Sequence, residues 1–447
     1  HLEGLPLGPN VCSFLGHSAI RAHVMGLGRS LEEDVVPTAA ELDEMALMVD
    51  ESLDAGYLGL SINTLPWDKM DGDRFRSRPT PSVFAKWKEY RHLSAVLRRR
   101  DAVLEGVPDI SQRWNLLLFA ANAHGIGRKP LRTSVISMLD IKAAPGVYKV
   151  LGGVTSALRR VARADVRLQS LPQRFRLWTD GLENPVIEEI GAGTEALHLA
   201  EAARGDLLRD PEYRQRFRRQ WTNKVKGRAY HRDLAEARIV ECPDHSLVGR
   251  TFAEVADERG RDRVDTFLDL AAEHGNDLRW ATTVGNTNPD AVAWIAEHPQ
   301  AQIGFSDAGA HLRNMAFYSF PLHLLRLVKQ RREQGRPVLG LGRAVHRVTA
   351  ELADYLGIEA GRLRVGDRAD LVVIDPAALD ERLDEVAEEP MPSMPDLRRL
   401  VNRGDGAVRA VLVNGRLAWD GSRAQRAGGF GDDPDFGTVL RRRDRVG

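Results

Sequence analysis

The segment Phe305-Ser306-Asp307-Ala308-Gly309-Ala310-His311 sets a carboxylate and an imidazole among residues small enough to let a ligand approach the backbone. An apolar run, 301–305, leads into it. The acid and the imidazole would therefore stand at the carboxyl end of a strand, where α/β barrels carry their reactive groups. An aspartate there can bind a metal and take a proton from the water that the metal activates. His311 can polarise a carbonyl or shuttle a proton. The structural alternative is a loop in which Asp307 caps the next helix. A second segment, Gly16-His17-Ser18-Ala19-Ile20-Arg21, also follows an apolar strand. It approaches the GxSxG nucleophile elbow but has Ile20 in place of the last glycine, so a serine hydrolase is not expected. His17 and Arg21 are instead candidates to face a substrate carboxylate, which an Arg fork suits.

The elements that must position these groups alternate between short apolar runs and helix-period stretches, the pattern of a parallel α/β architecture. Strands are expected at 10–15, 58–61, 102–107, 131–139, 166–171, 278–284 and 301–305. Helices are expected at 38–56, 81–100, 114–124, 147–164, 266–274, 289–298 and from about 320 to 332. The first helix carries a capping box, Thr38 with Glu41. Right-handed crossovers would close such βα units into a barrel. The stretch from about 185 to 237 breaks the rhythm. It is basic and aromatic (RDPEYRQRFRRQW) and reads as a helical insertion over the barrel mouth, in preference to an RNA-binding surface. From 361 the pattern turns β-rich, with Asn414-Gly415 as a two-residue hairpin turn. The expected organisation is a barrel over 1–360, a β-sandwich portion over 361–421 and a surface tail over 422–447.

Bulk composition narrows the function classes. Lys plus Arg and Asp plus Glu both total 63 in the 447 residues, which argues against a main role in holding nucleic acid or anionic membrane. The two cysteines, Cys12 and Cys242, are far apart, which excludes a disulfide-rich scaffold and points to a reducing cytoplasm. No apolar run spans a bilayer and no signal-peptide layout is present. The sequence opens on His1 within a loop-to-strand pattern, so further residues are expected upstream. Gly340-Leu341-Gly342 lacks the strand and third glycine of a dinucleotide loop, and no P-loop or HExxH occurs.

Three passages together resemble the amidohydrolase superfamily and, within it, the N-acyl-D-amino-acid deacylases: GHSAIRAHVMG, IGFSDAGAHLRNM, and LRVGDRADLVVIDP with VRAVLVNGRLAWDG. Gly59-Leu60-Ser61 adds to the match and makes Ser61 a candidate substrate contact beside His17 and Arg21. The resemblance implies a TIM-like (β/α)8 metal-dependent hydrolase barrel, incomplete here at its amino end, with a β-sandwich companion. It implies one or two divalent metal ions, zinc by type, with Asp307 as the last-strand ligand and Asp307 and His311 as catalytic residues. It also implies an HxH strand, which would lie before residue 1. The family's strand-end histidines are missing from 131–140 and 166–173, where Asp140, Gln169 and Gln173 stand instead, and a single metal is the expectation. The expected reaction is hydrolysis of a non-peptide C–N bond in a small amide. A non-catalytic ligand-binding barrel is the alternative. No nucleic acid or membrane partner is expected, and homo-oligomerisation is left open.

Overall fold

The computed structural model describes residues 2–70, 72, 74–109, 113–223, 228–307, 309, 311–391, 394–404, 406–421 and 435–443. Its strands, in chain order, are β1 (Leu15–Gly16), β2 (Gly59–Asn63), β3 (Val103–Val107), β4 (Arg132–Ile136), β5 (Asp165–Ser170), β6 (Phe175–Asp180), β7 (Arg238–Glu241), β8 (Arg279–Gly285), β9 (Ala301–Ile303), β10 (Leu371–Ile374), β11 (Ala387–Met391), β12 (Met394–Val401), β13 (Val408–Val413) and β14 (Arg416–Trp419). Six of them form one sheet in the order β1-β2-β3-β4-β5-β9, every neighbouring pair parallel. Helices lie between successive strands, as right-handed βα units require. Ile20, Met45, Val49, Leu60, Ile62, Leu93, Leu104 and Leu168 fill one continuous apolar cluster between sheet and helices. This is the α/β barrel sheet of the expected fold class, with a β-rich companion. All its strands end at one edge, and that edge carries the candidate chemistry.

Local sequence explains most boundaries. The helix Ala39–Asp54 starts on the expected capping box: the Glu41 backbone N–H donates to the Thr38 hydroxyl at 3.2 Å, and the Thr38 N–H donates to the Glu41 carboxylate at 2.8 Å. The helix expected over 81–100 is broken. Ala85 and Lys86 are extended, leaving Pro81–Phe84 and Trp87–Arg99. Asn414 and Gly415 both take positive φ, 51° and 80°, between paired Val413 and Arg416, as a type I′ hairpin turn needs. β10, β13 and β14 form the antiparallel companion sheet, and β11 and β12 a separate ribbon.

One strand sits elsewhere than its periodicity suggests. β8 does not join the parallel sheet; it lies between β6 and β7 in a three-stranded antiparallel sheet. Its nearly unbroken burial reads like a barrel strand because both faces are covered. Trp280 packs into the large cluster with Phe252 and Phe267, and Ala281 packs with Trp178 and Leu400. The helix Pro211–Trp221 docks on the same body. Tyr213, Phe217 and Trp221 are buried in that cluster, while Arg214 pairs with Asp269 at 2.6 Å and Arg216 with Glu195 at 2.5 Å. The aromatics of this basic stretch thus face the core and are unavailable to stack on bases. Residues 435–443 of the tail run back along the chain start, where Val11 donates to Thr438 O at 3.0 Å; 422–434 and 444–447 lie outside the described residues. No helix among the described residues is long and apolar enough to cross a membrane.

Candidate active site

β9 delivers the first candidate segment to the edge of the sheet. Past Ile303, the N–H groups of Gly304 and Phe305 still donate to Ser170 O at the end of β5, 3.3 and 3.4 Å away, so the chain leaves the sheet in register. Phe305 then packs against Phe175, ring centres 6.4 Å apart. Asp307 follows at φ 52°, a left-handed conformation that costs a non-glycine residue energy and turns the carboxylate out of the strand direction. Its Oδ2 is 3.6 Å from Nε2 of His311, and the two side chains are 38% and 30% exposed. Ala308 and Ala310 lie outside the described residues. Asp307 is not the cap of the next helix, which is Phe320–Glu333 with Ser319 at its N-cap.

The loop after this pair is tied down. Asn314 donates to Trp178 O at 2.8 Å and Glu183 O at 3.0 Å, and the Arg313 guanidinium grips Asp180 at 2.5 and 3.0 Å while also reaching Glu388 at 3.2 Å. Such fixed supports are what keep a reactive pair in one geometry.

Below the pair, a polar belt crosses the sheet interior. Ser61 of β2 donates to Glu105 of β3 at 2.5 Å, and Gln169 of β5 donates to Glu105 at 3.3 Å and to Ser134 of β4 at 3.1 Å. Ser134 in turn reaches Gln302 of β9 at 3.4 Å. Burial raises the Glu105 carboxyl above the usual carboxylate range, and the Asp307 charge adds to the rise, while the bonds from Ser61 and Gln169 oppose it. Glu105 was not singled out from sequence. Its signal was a lone acid inside the apolar strand text Val103-Leu104-Glu105-Gly106-Val107.

Beside the pair lies a cleft of about 490 Å³, lined by Lys69, Glu188, His198, Arg204, His311 and Asn314 among others. Asp68, in the loop after β2, has its carboxyl raised by burial; the Asp307 charge reinforces the rise and His311 opposes it. Burial, then the Asp68 charge, raise Glu188 to about 7, with Lys69 opposing. Three carboxyl groups besides Asp307 thus crowd this end of the sheet, each held toward its neutral form. That is a setting suited to proton transfer near neutral pH.

The other sequence candidates divide. Ser61 belongs to the belt and touches Glu105. His17 and Arg21 do not join the cleft, since both are fully buried in the helix His17–Met25. Nε2 of His17 is 2.9 Å from Glu89, Nδ1 is 2.8 Å from the Ser82 hydroxyl, and Arg21 pairs with the other Glu89 oxygen. Burial alone would push Glu89 up, but hydrogen bonds and charge from His17 and Arg21 hold it below the usual range. This cluster closes on itself and leaves no ring nitrogen for a substrate. Among the described residues no three His, Cys, Asp or Glu side chains are grouped to hold a metal ion. Gln169 donates its amide N–H groups to Glu105 and Ser134. The described residues alone do not fit a metal centre.

No family model matches the chain. An uncharacterized protein of Mycobacterium tuberculosis is 46% identical over 447 residues, covering 98% of this chain and 73% of that protein; a Mycobacterium bovis protein matches equally. The N-acyl-D-aspartate deacylase of Alcaligenes xylosoxydans is 31% identical over 187 residues, 40% of this chain and 32% of that enzyme. Among solved structures, N-acyl-D-glutamate deacylase from Bordetella bronchiseptica, complexed with zinc and a phosphonate mimic of the tetrahedral intermediate, superposes with a TM-score of 0.55 at 20% identity. The match covers 97% of this chain and 72% of that one. A D-aminoacylase described as defining a novel subset of amidohydrolases superposes with a TM-score of 0.55 at 19% identity, over 97% of this chain and 73% of that one. The chain belongs to the family of these mycobacterial proteins, and its fold is that of the D-aminoacylases of the amidohydrolase superfamily.

Proposed function

We propose that this chain is the greater part of an amidohydrolase that cleaves the C–N bond of a small N-acylated amino acid. The observation that carries the reading is the Asp307–His311 pair, 3.6 Å apart at the carboxyl edge of a parallel sheet, next to a cleft of small-molecule size. In this reading the Asp307 carboxylate accepts a proton from the attacking water as its oxygen bonds to the acyl carbon. Asp307 then returns the proton to the nitrogen as the C–N bond breaks, so that a carboxylic acid and an amine leave, the acid then giving its proton to solvent. His311, within reach of Asp307, steadies the acyl oxygen or relays the proton. The Bordetella deacylase binds zinc.

The test is amine release from N-acetyl-D-amino acids by the full-length protein. Asp307→Asn should lower turnover by about 10²–10⁴-fold with an unchanged circular dichroism spectrum. Undiminished turnover would sink the assignment. A second reading, a non-catalytic barrel that binds a small ligand, is favoured by the lack of a grouped metal-donor set among the described residues. Elemental analysis separates the two: a stoichiometric divalent metal with turnover supports the hydrolase, and neither supports the binder.

A further inference from the structure

Two adjoining clefts share no lining residue with the cleft at His311. The larger, about 500 Å³, opens between residues 172–174 and the helices Pro289–Glu297 and Phe320–Glu333. The smaller, about 140 Å³, lies against Trp178 and Phe317. They meet at Gln173, Arg174, His323 and Asp384.

Two buried groups at this junction lack a partner, and two exposed guanidinium groups stand beside them. His323 is 2% exposed, yet neither ring nitrogen has a well-formed hydrogen bond; the Leu383 backbone lies near the ring, and the Asp384 carboxylate is 3.8 Å from Nδ1. Burial lowers the imidazole to about 4, with the Arg326 charge adding to the fall and Asp384 opposing it, so the ring is neutral and offers one N–H. The buried Oε1 of Gln173 also has no partner; it accepts, so what it lacks is a donor such as a hydroxyl group. Arg174 and Arg176 are both exposed, and Arg176 stacks 4.7 Å over Trp178. Burial, then the Arg174 charge, disfavour the charged form of Arg176, and no ion pair is seen for either guanidinium among the described residues. The acids nearby do not balance them. Asp384 is held by both arms of Arg326 at 2.9 and 3.0 Å, and Glu381 lies on the exposed rim of the larger cleft. Buried polar groups are nearly always satisfied, and each exception calls for a missing partner. A partner that accepts from the buried His323 N–H and from the two exposed guanidinium groups beside it has the chemistry of an oxyanion.

We propose that the joined clefts are a second ligand site that takes a small oxyanion, carboxylate or phosphate, between Arg174 and Arg176 with His323 beneath it. Val292 and Leu327, on the wall of the larger cleft, receive any apolar part of the ligand. The test is calorimetric titration of the purified protein with inorganic phosphate and with hexanoate, at constant ionic strength. Saturable binding of at least one probe is expected. Phosphate alone identifies a phosphoryl ligand, and hexanoate alone a carboxylate with an apolar body. Joint Arg174→Gln and Arg176→Gln substitution should weaken it at least tenfold, whereas Asp307→Asn should leave it unchanged. Binding of neither probe, or binding insensitive to the arginine pair, overturns the site. So does binding lost in Asp307→Asn. The wild-type His323 ring resonances give a readout that depends on no variant folding: they should shift on saturation, and their constancy would also overturn the proposal.

Discussion

At the scale of single residues, the reactive edge is defined by groups whose charged forms are disfavoured. Glu188 makes this measurable. Burial, then the Asp68 charge, bring its carboxyl to about 7 in the folded chain, against an ordinary 4.5, with Lys69 opposing. The folded chain therefore holds this proton more tightly than the unfolded chain. The stability it contributes is complete below pH about 4.5 and is lost as the pH rises through about 7. Glu188→Gln carries no charge at any pH. It should change the thermal midpoint little at pH 4.5 and raise it clearly at pH 8. A shift of the same size at both pH values would show that ionisation of this carboxyl is not what strains the cleft. Asp307 is the residue-scale test of activity, with the loss of turnover given above.

At the scale of elements, what seats the sheet edge is close packing and one buried ion cluster. Glu89, on the helix Trp87–Arg99, is 2% exposed and serves both His17 and Arg21 of the helix His17–Met25. Removing one member of a buried set strands the others without compensation, at a cost of about 3–5 kcal/mol. Glu89→Ala should lose stability on that scale in denaturant unfolding. A loss under about 1 kcal/mol would mean that water reaches the cluster. β2 depends on Gly59 in another way. At φ 156° a methyl group there would sit 1.8 Å from Val103 O on β3, so Gly59→Ala must part the two strands. That substitution should cost more than about 1 kcal/mol in the same unfolding experiment, and a neutral result would refute the tight β2–β3 approach.

At the scale of the whole molecule, the reactive loop is tethered to parts distant in sequence. Arg313 holds Asp180 of β6 and Glu388 of β11, and Arg279 of β8 pairs with both of those acids. The antiparallel sheet and the ribbon are thereby joined through the loop that carries His311. Asp180→Asn should loosen this joint before it loosens the barrel. Hydrogen exchange at 311–317 should speed up while the amides of β2 to β5 keep their protection. Equal acceleration everywhere would show that Asp180 supports the fold at large and does not hold the loop in particular.

The sequence by itself determined the parts that rest on short-range physics. Periodicity marked the βα units, the Thr38–Glu41 box started its helix, Asn414-Gly415 made its turn, and the strand-end text at Phe305 to His311 put an acid and an imidazole at the sheet edge. Only the tertiary structure decided matters of partnership. β8 looks like a barrel strand because it is buried on both faces, and periodicity records burial without naming the neighbours that cause it. His17 and Arg21 have the composition of a substrate clamp, but Glu89, distant along the chain, takes both in the interior. Glu105, Asp68 and Glu188 come from separate elements and matter through proximity to Asp307 or to one another. Charge coupling depends on distance in space, and that distance exists only once the chain is folded.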